Sequence, residues 1–233
     1  MRKIMIAAGA VAILSFTSVA AHAQAVSVEV DLFELQEGKG DDPFVFDTTV
    51  TAGGDRHALV LKAEGGNETA HLSVEEVTSM ALAAFMPNDS TSFMAGVRHD
   101  FRPGGDLTYA ALAVEQSFGS ILEGEHFFFL SENGDLTGEG QIVAGIPLTP
   151  GGLTVEPRLA FGWAAQAIPE EEVGSGLTDT ELSLRLRQAI GPVFNVYVGV
   201  VHERLIGNTR DIARANEESG QATRAILGAG LFF

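Results

Sequence analysis

The sequence predicts an all-β protein, a transmembrane antiparallel up-and-down β-barrel of about 12 strands. Three observations predict it. Apolar and polar residues alternate with period two along most of the chain. An export signal stands at the start. The segment Ala225–Phe233 ends the chain on Phe, with apolar residues at alternate positions before it.

The leader has three parts. Arg2 and Lys3 are basic, Ile4 to Ala20 is uncharged and mostly apolar, and Ala21-His22-Ala23 is an A-x-A cleavage site. About 17 such residues nearly suffice for a membrane helix. The small-residue site decides for a signal peptide over residues 1–23, with a mature barrel domain over 24–233.

The strands follow in order: 27–35, 43–51, 57–64, 69–85, 91–101, 106–117, 122–131, 136–146, 153–164, 178–189, 193–204 and 222–233. Leu182, Leu184 and Leu186 alternate with Glu181, Ser183, Arg185 and Arg187, and Val28, Val30 and Leu32 alternate with Glu29 and Asp31. Successive strand side chains point to opposite faces, so each such run has one apolar and one polar face. A tilted strand needs about 9–11 residues to cross hydrocarbon, whereas strands of soluble sandwiches are usually about 5–6 residues long. A soluble periplasmic sandwich is the competing reading.

The connections support the barrel. After even-numbered strands come Ala52-Gly53-Gly54-Asp55, Pro87-Asn88-Asp89, Pro150-Gly151-Gly152 and Gly191-Pro192, all tight-turn chemistry. The two longest loops, 166–177 and 205–221, follow odd-numbered strands and carry Glu170, Glu171, Glu172, Glu217 and Glu218. Short periplasmic turns opposite longer external loops are a habit of outer-membrane barrels.

Without Arg2 and Lys3, 12 basic residues face 31 acidic ones, a formal charge of −19. That balance repels nucleic acid and anionic lipid and suits metal cations. The chain has no Cys, which excludes disulfides, thiolate metal sites and a Cys nucleophile. Its 27 Gly fit a turn-rich all-β protein.

With the Leu182 face in lipid, Glu181, Arg185 and Arg187 line the lumen. The same parity places Glu156 and Arg158 inside, with Val155, Leu159, Phe161 and Trp163 outside. Lys62, Glu64, Arg98, Asp100 and Glu139 complete the charged lumen set, and Gln141, His71, Ser73 and Glu75 share its parity. In a narrow lumen such charges either pair into a plug or line an ion path. With one Trp and two Tyr against fifteen Phe, the interfacial girdle falls to Phe44, Phe101, Phe127, Phe161, Phe232 and Phe233.

No G-x-S-x-G or H-E-x-x-H motif is present, and the chain reads as a non-enzyme. The mature histidines are His57, His71, His99, His126 and His202, and the methionines Met80, Met86 and Met94. Imidazoles with thioethers suit copper, above all Cu(I). They lack a short repeated spacing; His71, Glu75 and Met94 form the candidate metal set.

Several stretches resemble the copper resistance protein B (CopB-type) family. They are Val155-Glu156-Pro157-Arg158-Leu159, the run Gly174 to Arg187, Tyr197 to Arg204, Gly207 to Arg214, Gly53-Gly54-Asp55 before Leu59 to Gly65, and Gly96-Val97-Arg98-His99-Asp100. The resemblance covers roughly residues 42–233. It implies a bacterial outer-membrane barrel that contributes to copper tolerance by sequestering or exporting copper. Its partners would be outer-membrane lipid, copper ions and a periplasmic multicopper oxidase, with no nucleic acid. Two departures stand out. Family members often carry a Met/His-rich segment before the barrel, and residues 24–42 contain neither; His202 stands where a family Trp is expected. The missing segment motivates an alternative, a general small-solute channel or structural barrel without metal function.

Overall fold

A computed structural model describes residues 25–38, 43–67 and 76–233. The strands are β1 (Ala25–Gly38), β2 (Phe44–Gly53), β3 (His57–Asn67), β4 (Glu76–Asn88), β5 (Thr91–Phe101), β6 (Leu107–Phe118), β7 (Leu122–Ser131), β8 (Leu136–Ala144), β9 (Ile146–Pro147), β10 (Leu153–Ala164), β11 (Gly176–Ile190), β12 (Phe194–Leu205) and β13 (Gln221–Phe232). All neighbours pair antiparallel, β13 returns to β1, and the ring closes. The predicted signal peptide lies outside the described residues, as does the 69–75 part of the fourth predicted strand.

The barrel has twelve staves, because β8 and β9 share one. Both pair with β10 in one register, Val143 with Arg158 and Ile146 with Val155. Between those pairs sits Pro157, which has no N–H for the ladder. The predicted strand 136–146 is therefore interrupted.

Strict alternation fails at one place in β1. Val30 pairs with Thr48 and Leu32 with Asp47, leaving Asp31 as the extra residue of a bulge. A bulge shifts the parity of everything beyond it. Asp31 and Leu32 both face inward as a result, which corrects the expectation that Leu32 shares a face with Val28 and Val30. Glu34 and Gln36 follow inward, at 1% and 5% exposure.

The two ends of the barrel differ. One holds tight turns; at Gly191 the backbone adopts φ 72°, where glycine avoids a Cβ clash. The other holds the long connections. Residues 205–221, expected as plain loop, contain helix α1 (Gly207–Ala215), and a 3-10 turn forms at Pro169–Glu171. These connections interlock. Gly174 N–H donates to Thr209 Oγ1 at 3.0 Å, Asn216 Nδ2 to Glu172 at 2.7 Å, and Arg102 pairs with Glu171 at 2.8 Å.

The outer face is a continuous apolar belt that includes Leu61, Val97, Leu112, Leu159, Leu184, Val198 and Leu227, each more than a third exposed. An exposed apolar band of this extent requires an apolar surrounding. Phe85, Phe93, Phe118, Phe194, Phe232 and Phe233 ring its turn end. One residue expected in the girdle is elsewhere: Phe127, at 1% exposure, is inside, whereas Phe44 shares the outward parity of Leu35 and is covered there by Phe33, with ring centres 4.9 Å apart. Phe161 and Trp163 lie over Gly140 and Gly138, where a Cβ would come within 2.8 and 2.5 Å of the rings.

Replacing Leu184 by Lys is expected to cost about 2–4 kcal/mol, the penalty for a cation near the middle of a lipid-facing strand. Asp55→Lys, in a turn, should change stability by less than about 0.5 kcal/mol. Urea unfolding in lipid vesicles measures both.

Candidate functional site in the barrel lumen

The lumen has two unlike walls. Along β3 to β7 the inward side chains are mostly apolar: Val60, Met80, Leu82, Met94, Tyr109, Phe127 and Phe129 form one packed cluster. The opposite wall, from β10 through β13 to β1, is charged. Uniform polar-inside alternation does not describe this barrel.

Ion pairs cross the interior between staves that are not neighbours. Arg185 of β11 reaches Glu34 of β1 with two hydrogen bonds, at 3.1 and 3.0 Å, and both residues are 1% exposed. Arg158 of β10 bonds Asp31, also of β1. Arg187 bonds the other Asp31 oxygen at 3.1 Å, and Glu156 is shared by Arg158 and Arg187 at 3.3 and 3.2 Å. The Arg187 guanidinium lies 4.5 Å from the Tyr197 ring centre. Tyr197 in turn lies across Gly228, where a Cβ would meet the ring at 2.3 Å. Its hydroxyl accepts from Phe33 N–H at 3.3 Å.

The second set stands against the apolar wall. Lys62 of β3 reaches Glu125 of β7 at 3.4 Å, with its ammonium 4.9 Å from the Phe127 ring centre. Gln141 Nε2 donates to the same carboxylate. Arg98 bonds Asp100 at 2.7 and 3.1 Å, approaches Glu139 at 3.6 Å, and lies 4.4 Å from the Phe129 ring centre. Glu64 and Glu181 line the cavity without an ion pair within 4 Å among the described residues.

Of the residues proposed from sequence, Glu156, Arg158, Arg185 and Arg187 thus gather at the charged wall. Lys62, Arg98, Asp100 and Glu139 gather at the apolar one. Sequence reasoning did not single out Asp31, Glu34, Glu125 and Tyr197. The bulge hid Glu34, and nothing local marks Glu125 as the partner of a residue 63 positions away.

The metal candidates do not assemble. His71 and Glu75 lie outside the described residues. Met94 is 6% exposed, inside, within the apolar cluster. The four described histidines sit on the outer face: His57 precedes inward Ala58, His99 follows inward Arg98, His126 precedes inward Phe127, and His202 follows inward Val201. His126 accepts from Trp163 Nε1 at 3.2 Å in an outer aromatic cluster. Among the described residues no group of three His, Cys, Asp or Glu is placed to hold a metal.

Two cavities occupy the lumen. The one toward the long loops has a volume of about 1040 Å³, the one toward the turns about 720 Å³. Eleven carboxylate residues and five basic ones line the first, nine and two the second, among the described residues. Excess carboxylate at low dielectric concentrates cations.

A closed ring of twelve staves with an apolar exterior and a charged, hollow interior is a porin-like barrel of outer-membrane type. A NanC porin structure superposes with a TM-score of 0.55 at 12% identity, covering 89% of this chain and 99% of that one. A KdgM porin in complex with disordered oligogalacturonate gives 0.50 at 11% identity, covering 88% and 98%. These likenesses concern the fold. The family follows from sequence: the model for "Copper resistance protein B precursor (CopB)" matches residues 24–233, and the chain belongs to that family. A copper resistance protein B homolog of Pseudomonas syringae pv. tomato is 32% identical over 203 residues, covering 87% of this chain and 68% of the relative. Copper resistance protein B of Escherichia coli is 31% identical over 220 residues, covering 92% and 72%.

Replacing Glu34 by Met should cost about 3–5 kcal/mol, because it strands the buried Arg185 charge. Combining it with Arg185→Met should recover most of that loss. Equilibrium unfolding of both variants, with the Arg185→Met single variant closing the cycle, measures the coupling.

Proposed function

We propose that this barrel contributes to copper tolerance at the bacterial outer membrane by holding copper ions in its lumen or passing them through it. The observation that carries the reading is the family match over residues 24–233. Both curated relatives are copper resistance proteins by name. The acidic interior supports it, since a lumen with surplus carboxylates draws cations.

Copper is cargo in this reading. Met86 and Met94 line the turn-side cavity and offer soft thioethers there. His71 and Glu75, four residues apart, are the proposed companions of Met94. Glu64, Arg98, Asp100, Glu139, Glu181 and the charged-wall residues set the field that a cation meets. In the membrane, the tight turns and both ends of the mature chain face the periplasm, and the interlocked loops face outward. A periplasmic multicopper oxidase is the proposed protein partner on the turn side. The leader is removed after Ala23, and N-terminal sequencing of the mature protein should begin at Gln24.

Deleting the gene should lower the copper concentration that cells tolerate on plates, and the wild-type gene should restore it. Refolded mature protein in detergent should retain copper by elemental analysis. Unchanged tolerance together with no bound copper would overturn the reading.

A further inference from the structure

The two lumen cavities share five lining residues: Asp47, Lys62, Glu125, Gln141 and Arg158 line both. The shared residues mark the level where one cavity gives way to the other. Two ion pairs cross the barrel there. Lys62 to Glu125 joins β3 to β7, with three staves between them, and Arg158 to Asp31 joins β10 to β1, again with three between. Gln141 braces the first by donating to Glu125.

We propose that the lumen is a cation path closed at this layer, and that the Lys62 side chain is its gate. The two crossing pairs are not equally firm. Arg158–Asp31 belongs to a closed set with Glu156 and Arg187, in which each charge has two partners. Parting it means breaking several charge-assisted bonds at once. Among the described residues Lys62 has one ion-pair partner within 4 Å, Glu125, with both oxygens at 3.4 Å, longer than the 2.7–2.9 Å usual for such a bond. Its ammonium rides on a flexible four-carbon stem and lies over the Phe127 ring on the apolar wall. A side chain held by one long ion pair and one ring contact can swing aside without disturbing the strand it stands on.

Charge gives the path its sign. Carboxylates outnumber bases in both cavities, so an ion reaching the layer from either side has been selected as a cation. At the layer itself Lys62 repels that cation while its ammonium stays in place. Moving it exposes Glu125 and Asp47, two carboxylates that then favour passage. The inference goes beyond the copper reading and does not depend on it, because any small monovalent cation should feel the same field.

Single-channel recording in planar bilayers with potassium chloride tests it. Wild-type barrel should show low conductance. Lys62→Gln should raise conductance several-fold and, under a salt gradient, move the reversal potential toward that of potassium. Lys62→Met keeps an unbranched side chain beside Phe127 and removes the charge, and should do the same. Glu125→Gln removes the ammonium's ion-pair partner and should move the reversal potential the other way, with no gain in conductance. Folding of each variant is checked by heat-modifiable gel mobility. Folded Lys62 variants that conduct like wild type, or a Glu125→Gln variant that shifts in the same direction as they do, would overturn the proposal.

Discussion

Closure of the sheet is the constraint on which everything else rests. In hydrocarbon no water is available to an open edge, and each unpaired backbone group there costs several kcal/mol. The edges that must meet are the first and last strands. They do so from Gly38 with Arg224 to Glu29 with Phe232, and Val28 and Phe233 then exchange two further backbone bonds at 2.6 and 3.0 Å. The seam shifts register between Val30 and Glu34, beside the Asp31 bulge. That irregularity is also the one that turns Leu32, Glu34 and Gln36 inward.

Once the ring is closed, residues from distant staves share one narrow interior. Arginine and lysine are long enough to span it, and Lys62, Arg158, Arg185 and Arg187 each find a partner on a stave that is not a neighbour. The charged wall pairs with itself: Asp31, Glu156, Arg158 and Arg187 form a closed set of ion pairs with Tyr197 packed beside them. The facing wall is apolar, so Lys62 and Arg98 lay their cationic groups near aromatic rings and point them at the few carboxylates within reach. The lumen is hollow on both sides of a shared layer of charged side chains. It is two acidic chambers with a charged layer between them.

That architecture separates attraction from coordination. The carboxylates give the lumen a field that gathers cations of any kind, whereas selecting copper needs soft ligands. The described histidines face outward, where His126 is held by Trp163 and His99 by Thr108. Within the described residues, the soft ligands on the inside are methionines. The family relationship ties the barrel to copper resistance, and the interior shows how a cation would be received once it entered.

The sequence by itself determined the strands, their direction and the turn end. Alternation and turn chemistry are local properties, written within about ten residues, and the run Glu181 to Arg187 declares its two faces without help from the rest of the chain. The local signal also failed in local ways: the Asp31 bulge adds one residue that no pattern announces, and α1 reads as a polar loop. The pairings were another matter. Asp31 and Arg158 stand 127 residues apart and Glu34 and Arg185 stand 151 apart. Nothing near either member names the other. Only the tertiary structure decided those partners, the apolar wall behind Lys62, and the level at which the two chambers meet, because each depends on which staves closure brings face to face.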